Sequence, residues 1–287
     1  MRYAVGIPTC GREELLWTTL RAFVNQDHPP ERIFVVDNND DHYAEYSEYC
    51  VADPGKPVYC NTKMWKPPED LQDKVTIVGN DYFVFGDSAG GQTALRHMTE
   101  AKFDVGIRWD DDLVPEPDCI GKLVKLVMYT NTPVAGGMYP SNNPDYPNPD
   151  IKLPHSTGMS FRDEGGGIHS GDGHRKHLQF FRWEGRNRLL PANYLYSSFA
   201  YDIKTANLVG GFCIEYSRHS FRADTDFAMR MNKVKPPLMI DTSAVAIHHW
   251  GEGGTRTIKD EEKTEMMNHD LELFARRMRS MGINPDY

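Results

Sequence analysis

An α/β fold with a mixed central sheet is predicted by three features of the sequence. Strand-like and helix-like patterns alternate through the first half, strand-like runs there end on acidic or small polar residues, and a loop-rich stretch at 140–191 breaks the rhythm before strands and helices resume. A chain of 287 residues can bury one large core or two modest ones, and no internal repeat or low-complexity linker divides it, so a single domain is expected.

The first run, RYAVGIP over residues 2–8, is strand-like and stops at proline, after which Leu15, Leu16, Leu20, Phe23 and Val24 fall at helical spacing. RIFVV over 32–36 is β-branched and aromatic and stops at Asp37 and Asn38. Together these make a β-α-β unit, which builds parallel sheet and leaves ligands to bind outside the carboxyl ends of the strands. Residues 75–78 and 105–109 read as further strands, and 88–101 and 118–129 as helices, the second with Ile120, Leu123, Val124 and Val127 on one face. Beyond the interruption, 194–216 and 237–249 read as strands around a short helix at 224–231, and 260–281 reads as an amphipathic helix.

Composition narrows the function. Against 32 basic residues stand 41 acidic ones, a net charge of −9, which excludes attraction of the whole surface to nucleic acid or anionic lipid while leaving room for a local basic groove. The five cysteines are odd in number and widely spaced, without a Cys-x-x-Cys pair, so neither a disulfide framework nor a zinc knuckle is indicated and a cytoplasmic setting is expected. No stretch approaches the roughly 18 consecutive apolar residues of a membrane span.

The sharpest chemical signal is IRWDDDLVPEPD at 107–118, where Asp110, Asp111 and Asp112 follow a strand whose Val105, Ile107 and Trp109 share a face. Three adjacent carboxylates repel one another, and a divalent cation relieves that repulsion, as a solvated turn would in the alternative. In extended chain Asp110 and Asp112 point the same way, separated by two rises of about 3.3 Å, close enough to share a diphosphate and its metal. Hard oxygen ligands suit Mg²⁺ or Mn²⁺.

The run DDDLVP resembles the Asp-x-Asp region of glycosyltransferases of the GT-A fold, especially the inverting family 2, and other motifs match that family in order. Gly6-Ile7-Pro8-Thr9 with Arg12 looks like its first strand and turn, and Val35-Val36-Asp37-Asn38 like its second. Ser88-Ala89-Gly90-Gly91-Gln92 with Arg96 resembles the glycine-bearing helix entry of rhamnosyl- and galactofuranosyltransferase-like members. Gly210-Gly211-Phe212 followed by Ala223-Asp224-Thr225-Asp226-Phe227 and Arg230 resembles the acceptor-side segment, and His248-His249-Trp250-Gly251 the late histidine. The resemblance spans roughly residues 2–255.

It implies a GT-A architecture with a Rossmann-like nucleotide-sugar-binding half at 1–130, an acceptor half at 131–255 and a helical tail at 256–287. The implied reaction is metal-dependent transfer, with inversion, from a nucleoside-diphosphate sugar, a UDP-sugar being favoured, to an acceptor hydroxyl. Asp110, Asp112 and His249 are the implied metal ligands, with His248 the competitor because neighbouring strand residues face opposite sides. Pro8, Thr9 and Asp37 are assigned to the base and ribose, Asp110 and Asp111 to the donor, and Arg12, Arg96, Gly90 and Gly91 to the phosphates. The catalytic base falls on Asp224, with Asp226 as the second candidate; Ala223 stands where the family carries glutamate. Taken by itself, Asp224 also reads as a helix cap.

The stretch 140–191 gathers His155, His169, His174 and His177 with Arg175, Lys176, Arg182, Trp183, Arg186 and Arg188. A basic and aromatic mix of this kind suits an anionic or stacked acceptor such as a phosphate-bearing glycan, a lipid-linked sugar or a nucleic acid, and otherwise a solvated loop. Two rival functions remain at this level: nucleotidyl transfer, which GIPTCGREE serves poorly for want of lysine, and a nucleotide- or carbohydrate-binding module without turnover.

Overall fold

Tyr3–Thr9 forms strand β1, and all seven of its residues are buried because strands flank it on both edges and layers cover both faces. The computed structural model describes residues 2–38, 67–82, 86–140, 154–155, 189–192, 195, 198–249, 258–283 and 285. The histidines and basic residues of 169–188, and Trp250, lie outside the described residues.

Helix α1 (Glu13–Val24) buries Leu16, Leu20 and Phe23 and returns the chain to β2 (Arg32–Asp37), parallel to β1. Strand β3 (Val75–Gly79) pairs parallel with β2. Helix α2 (Asp87–Glu100) then crosses back, so that β4 (Val105–Arg108) lies parallel to β1 on its other edge. Two strands here, β5 (Leu113–Pro115) and β6 (Val134–Pro140), escaped the sequence reading: one has three residues and the other carries Gly136 and Gly137. Helix α3 (Cys119–Tyr129) separates them. Short strands β7 (Pro154–His155) and β8 (Leu189–Ala192) pair with β6 and with a later strand.

The stretch 194–216 is not one strand. Strand β9 (Phe199–Asp202) gives way to helix α4 (Ile203–Leu208) because the Asp202 carboxylate accepts hydrogen bonds from the Lys204 and Thr205 backbone N–H groups, each at 3.3 Å. Gly210 and Gly211, both at positive φ, then end the run. Helix α5 (Ala223–Val234), strand β10 (Leu238–His248) and helix α6 (Asp260–Ser280) complete the described chain.

The sheet runs β3-β2-β1-β4-β9-β6-β10-β5. Its first four strands are parallel; β9 is antiparallel to β4 and β6, and β10 is parallel to β6 but antiparallel to β5, which makes the sheet mixed. The side-chain period of two splits the core between the faces. Val105, Ile107 and Trp109 join Val5 and Ile7 on one, whereas Ala4, Val36, Tyr201 and Phe227 pack on the other. A third cluster of Cys213, Tyr216, Leu273, Phe274 and Met278 fastens α6 to the loop before α5. Among the described residues no helix is long and apolar enough to cross a membrane.

Candidate active site

The site grows from the end of β4. Trp109 is fully buried, its ring edge-on to Phe23 and Tyr139 at centroid distances of 5.5 and 5.4 Å, and its indole N–H donates to the Leu113 carbonyl at 2.7 Å. That bond folds the chain over on itself, so 111–112 form a turn rather than extended chain. The aspartates therefore diverge, which corrects the expectation that Asp110 and Asp112 face one way.

Asp110 accepts from the Arg108 guanidinium, and its backbone N–H donates to Ser198 Oγ at 2.9 Å. Asp111 turns inward and is fully buried: Thr9 Oγ1 donates to it at 2.7 Å and Arg12 Nη2 meets it at 2.5 Å. It therefore braces the end of β1 and, contrary to its donor-side assignment, is out of reach of a ligand. Desolvation pushes its carboxyl up to about 6, with Arg12 pulling the other way. Asp112 accepts from Arg12 Nη1 and lies 3.4 Å from His248 Nε2. The histidine whose ring meets Asp112 is thus His248; His249 gives its backbone N–H to the Asp112 carbonyl at 2.7 Å, extending the pairing of β10 with β5.

Arg108 is the residue that sequence reasoning missed. Its side chain is 2% exposed, yet it touches Asp87, Asp110 and, through Nε at 3.4 Å, Asp224. Burial opposes its charge, but Asp110 and Asp224 outweigh that cost and raise its pKa further. Helix α5 begins after Arg222, so Asp224 occupies the first turn instead of the cap and sits beside Arg108. Asp226, the second base candidate, is fully buried and paired with Arg230 and with Arg277 of α6, each at 3.1 Å. It joins two helices and has no open face for a substrate.

A pocket of about 80 Å³ opens at the strand ends between Pro8, Thr9, Arg12, Asn38, Asp87 and Arg218. Asp37 is buried at the end of β2, in register with Thr9 of the pocket wall. Gly90 and Gly91, expected to approach phosphate, also let α2 approach protein. A Cβ on Gly90 would stand 2.8 Å from Pro8 Cβ and 2.7 Å from Asn38 Nδ2, and one on Gly91 would stand 3.3 Å from the Phe212 ring. Arg96 is likewise spent on protein, pairing with Asp81 at 2.5 Å and Glu100 at 2.7 Å.

Residues 4–175 match the family model described as glycosyl transferase family 2, which is more than half of the chain. The chain belongs to glycosyl transferase family 2. Solved structures agree on the fold. The crystal structure of the 1–349 fragment of S. aureus TarS has a TM-score of 0.56 at 13% identity, covering 97% of this chain and 65% of that one. The same fragment in complex with UDP-GlcNAc gives 0.58 at 12% identity, over 97% of this family 2 chain and 66% of the other. GalNAc-T7 with UDP, GalNAc and Mn²⁺ gives 0.60 at 13% identity, over 97% and 48%. This family 2 chain thus spans less than two thirds of the length of the first TarS match and about half of GalNAc-T7. No curated protein matches it by sequence.

Proposed function

We propose that this family 2 protein transfers a sugar, with inversion, from a nucleoside-diphosphate sugar to an acceptor hydroxyl. The observation that carries the reading is the convergence on Arg108 of Asp110, from the donor-side turn, and Asp224, from the first turn of α5. One buried cation thereby contacts both a donor-side carboxylate and a base candidate. A UDP-sugar is the favoured donor, since TarS was solved with UDP-GlcNAc and GalNAc-T7 with UDP and GalNAc. Pro8, Thr9 and Asn38 would receive the base, with the sugar directed towards Asp110 and Asp224.

Asp112 and His248 would offer a divalent ion two ligands once Arg12 Nη1, which shares the Asp112 Oδ2 atom, yields its place. Asp112 Oδ2 and His248 Nε2 are 3.4 Å apart, near the spacing of about 3 Å between neighbouring ligands in an octahedron with bonds of about 2.1 Å. Among the described residues no three such side chains converge, so water and the diphosphate would complete the shell. Mn²⁺ or Mg²⁺ held there would offset the charge that develops on the departing diphosphate. Asp224 takes the proton of the acceptor hydroxyl as its oxygen bonds to the anomeric carbon, and the bond from that carbon to the diphosphate oxygen breaks on the opposite side, releasing the nucleoside diphosphate. Arg108 fixes Asp224 for this step, a support that matters in a chain with Ala223 where the family carries glutamate.

The test combines binding and turnover. UDP-sugars with Mn²⁺ should raise the melting temperature of wild type but not of Asp112→Ala. Asp224→Asn should keep the donor shift and lose transfer by on the order of 10²- to 10⁴-fold. Release of pyrophosphate in place of nucleoside diphosphate would replace the reading with nucleotidyl transfer, and donor binding without turnover on any acceptor would make the protein a binding module.

A further inference from the structure

Helix α5 presents one carboxylate to the site and buries another two positions on. Successive helical residues turn by about 100°, so side chains two apart leave the helix on nearly opposite sides. Asp224 faces Arg108 of the sheet, whose Nε lies 3.4 Å away, whereas Asp226 is fully buried on the other side. That contact of Asp224 is Coulombic, since Arg108 Nε has no hydrogen-bond partner among the described residues. Nor does a side chain cap the start of α5, where Arg222 takes a positive φ of 69°. The place of the first turn is therefore set by what grips it elsewhere.

The grip is on Asp226. Arg230, one turn on, donates to it through Nε at 3.1 Å and Nη2 at 3.2 Å. The same guanidinium donates to the Val209 and Gly211 carbonyls at 2.6 and 2.8 Å, which ties α5 to the turn after α4. From α6, Arg277 Nε donates at 3.1 Å to the Asp226 oxygen that Arg230 Nη2 also reaches. Arg230 already answers the charge of Asp226, so neutralising that carboxylate does not require Arg277. What Arg277 adds is direction. It fixes α5 against α6, a helix held in turn by the cluster of Tyr216, Leu273, Phe274 and Met278. The family match ends at residue 175 and assigns nothing to either helix.

We propose that Arg277 of α6 is a positioning residue for the transfer step, holding the first turn of α5 through Asp226 so that Asp224 meets the acceptor hydroxyl. This rests on the reading of Asp224 as the base. Because Asp224 and Asp226 leave opposite sides of one turn, a shift at Asp226 swings Asp224 away from its place, and a misplacement of about 1 Å can cost on the order of 10²-fold in rate. Helix α6 is on this view part of the catalytic frame, although it touches no substrate.

The test uses the full chain with Mn²⁺ and reads UDP release from UDP-GlcNAc with water as the acceptor, alongside UDP affinity. Arg277→Gln should lower kcat at least tenfold and leave UDP affinity unchanged, and Arg277→Lys should recover part of the loss. In an Asp224→Asn background Arg277→Gln should slow release no further, since no base remains to be misplaced. Arg276, one position earlier, is exposed and 3.7 Å from the exposed Glu215, so Arg276→Gln should behave as wild type. If Arg277→Gln folds poorly, Arg277→Lys carries the same comparison with a smaller loss. Wild-type turnover in Arg277→Gln, an equal loss in Arg276→Gln, or losses that multiply with Asp224→Asn would overturn the proposal, while a loss in Asp224→Asn alone would keep the base reading. A wild type that releases no UDP would overturn both.

Discussion

At the residue scale the site is a problem of charge. Asp87, Asp110 and Asp224 meet on Arg108, and Asp111 and Asp112 on Arg12, so each guanidinium makes affordable a set of carboxylates that would otherwise repel one another. Because Arg108 is buried, Arg108→Ala should cost about 3–5 kcal/mol, the scale for stripping one side of a buried ion pair, read as a lower urea midpoint. Arg108→Lys keeps the charge but not the fork that reaches three partners. It should fold, and should lose transfer by on the order of 10²-fold through misplacement of Asp224, with donor binding less affected. Wild-type turnover in Arg108→Lys would show that Asp224 needs no such support. The aspartates were legible because carboxylates after an apolar strand are conspicuous. Arg108 was not: within VGIR it reads as an ordinary strand-end charge, and two of its partners, Asp87 and Asp224, are 21 and 116 positions away. That the His248 ring meets Asp112 was equally hidden, since it depends on the pairing of His248 with Leu113 across β10 and β5.

At the scale of elements, the helices α1, α2, α3 and α6 follow from helical spacing, and the strands β1, β2 and β4 from short apolar runs that are buried on both faces. Elements defined by tertiary contact did not follow. Strand β5 exists because β10 pairs with it, and α4 because Asp202 caps it inside a run that otherwise reads as strand. The glycines of α2, expected to approach phosphate, also lie against protein. At Gly90 helix and strand lie close together, and the atoms a Cβ would meet are Pro8 and Asn38 beside the pocket. Gly90→Ala should therefore destabilise by about 1–3 kcal/mol through overpacking and should also weaken donor binding by displacing Pro8. Calorimetric melting and UDP titration on the same sample check this. A variant that melts normally but binds UDP poorly would instead support direct contact between Gly90 and the ligand.

At the scale of the molecule, the two halves anticipated from the sequence share one sheet: β9 from the second half pairs with β4 from the first, and β10 delivers His248 to Asp112. Donor and metal would bind across that junction. Anything that binds only the native state stabilises whatever unfolds with its site, by about 2.7 kcal/mol when the ligand is at 100 times its dissociation constant. If the chain unfolds as a unit, UDP with Mn²⁺ should move a single transition to higher urea, identically by far-UV circular dichroism and by tryptophan fluorescence, without changing its slope. Asp112→Ala should abolish the shift while leaving the transition single. Two transitions, of which only one responds to ligand, would instead mean that the nucleotide half folds independently, and the seam between β4 and β9 would then be a domain interface and not the interior of one core.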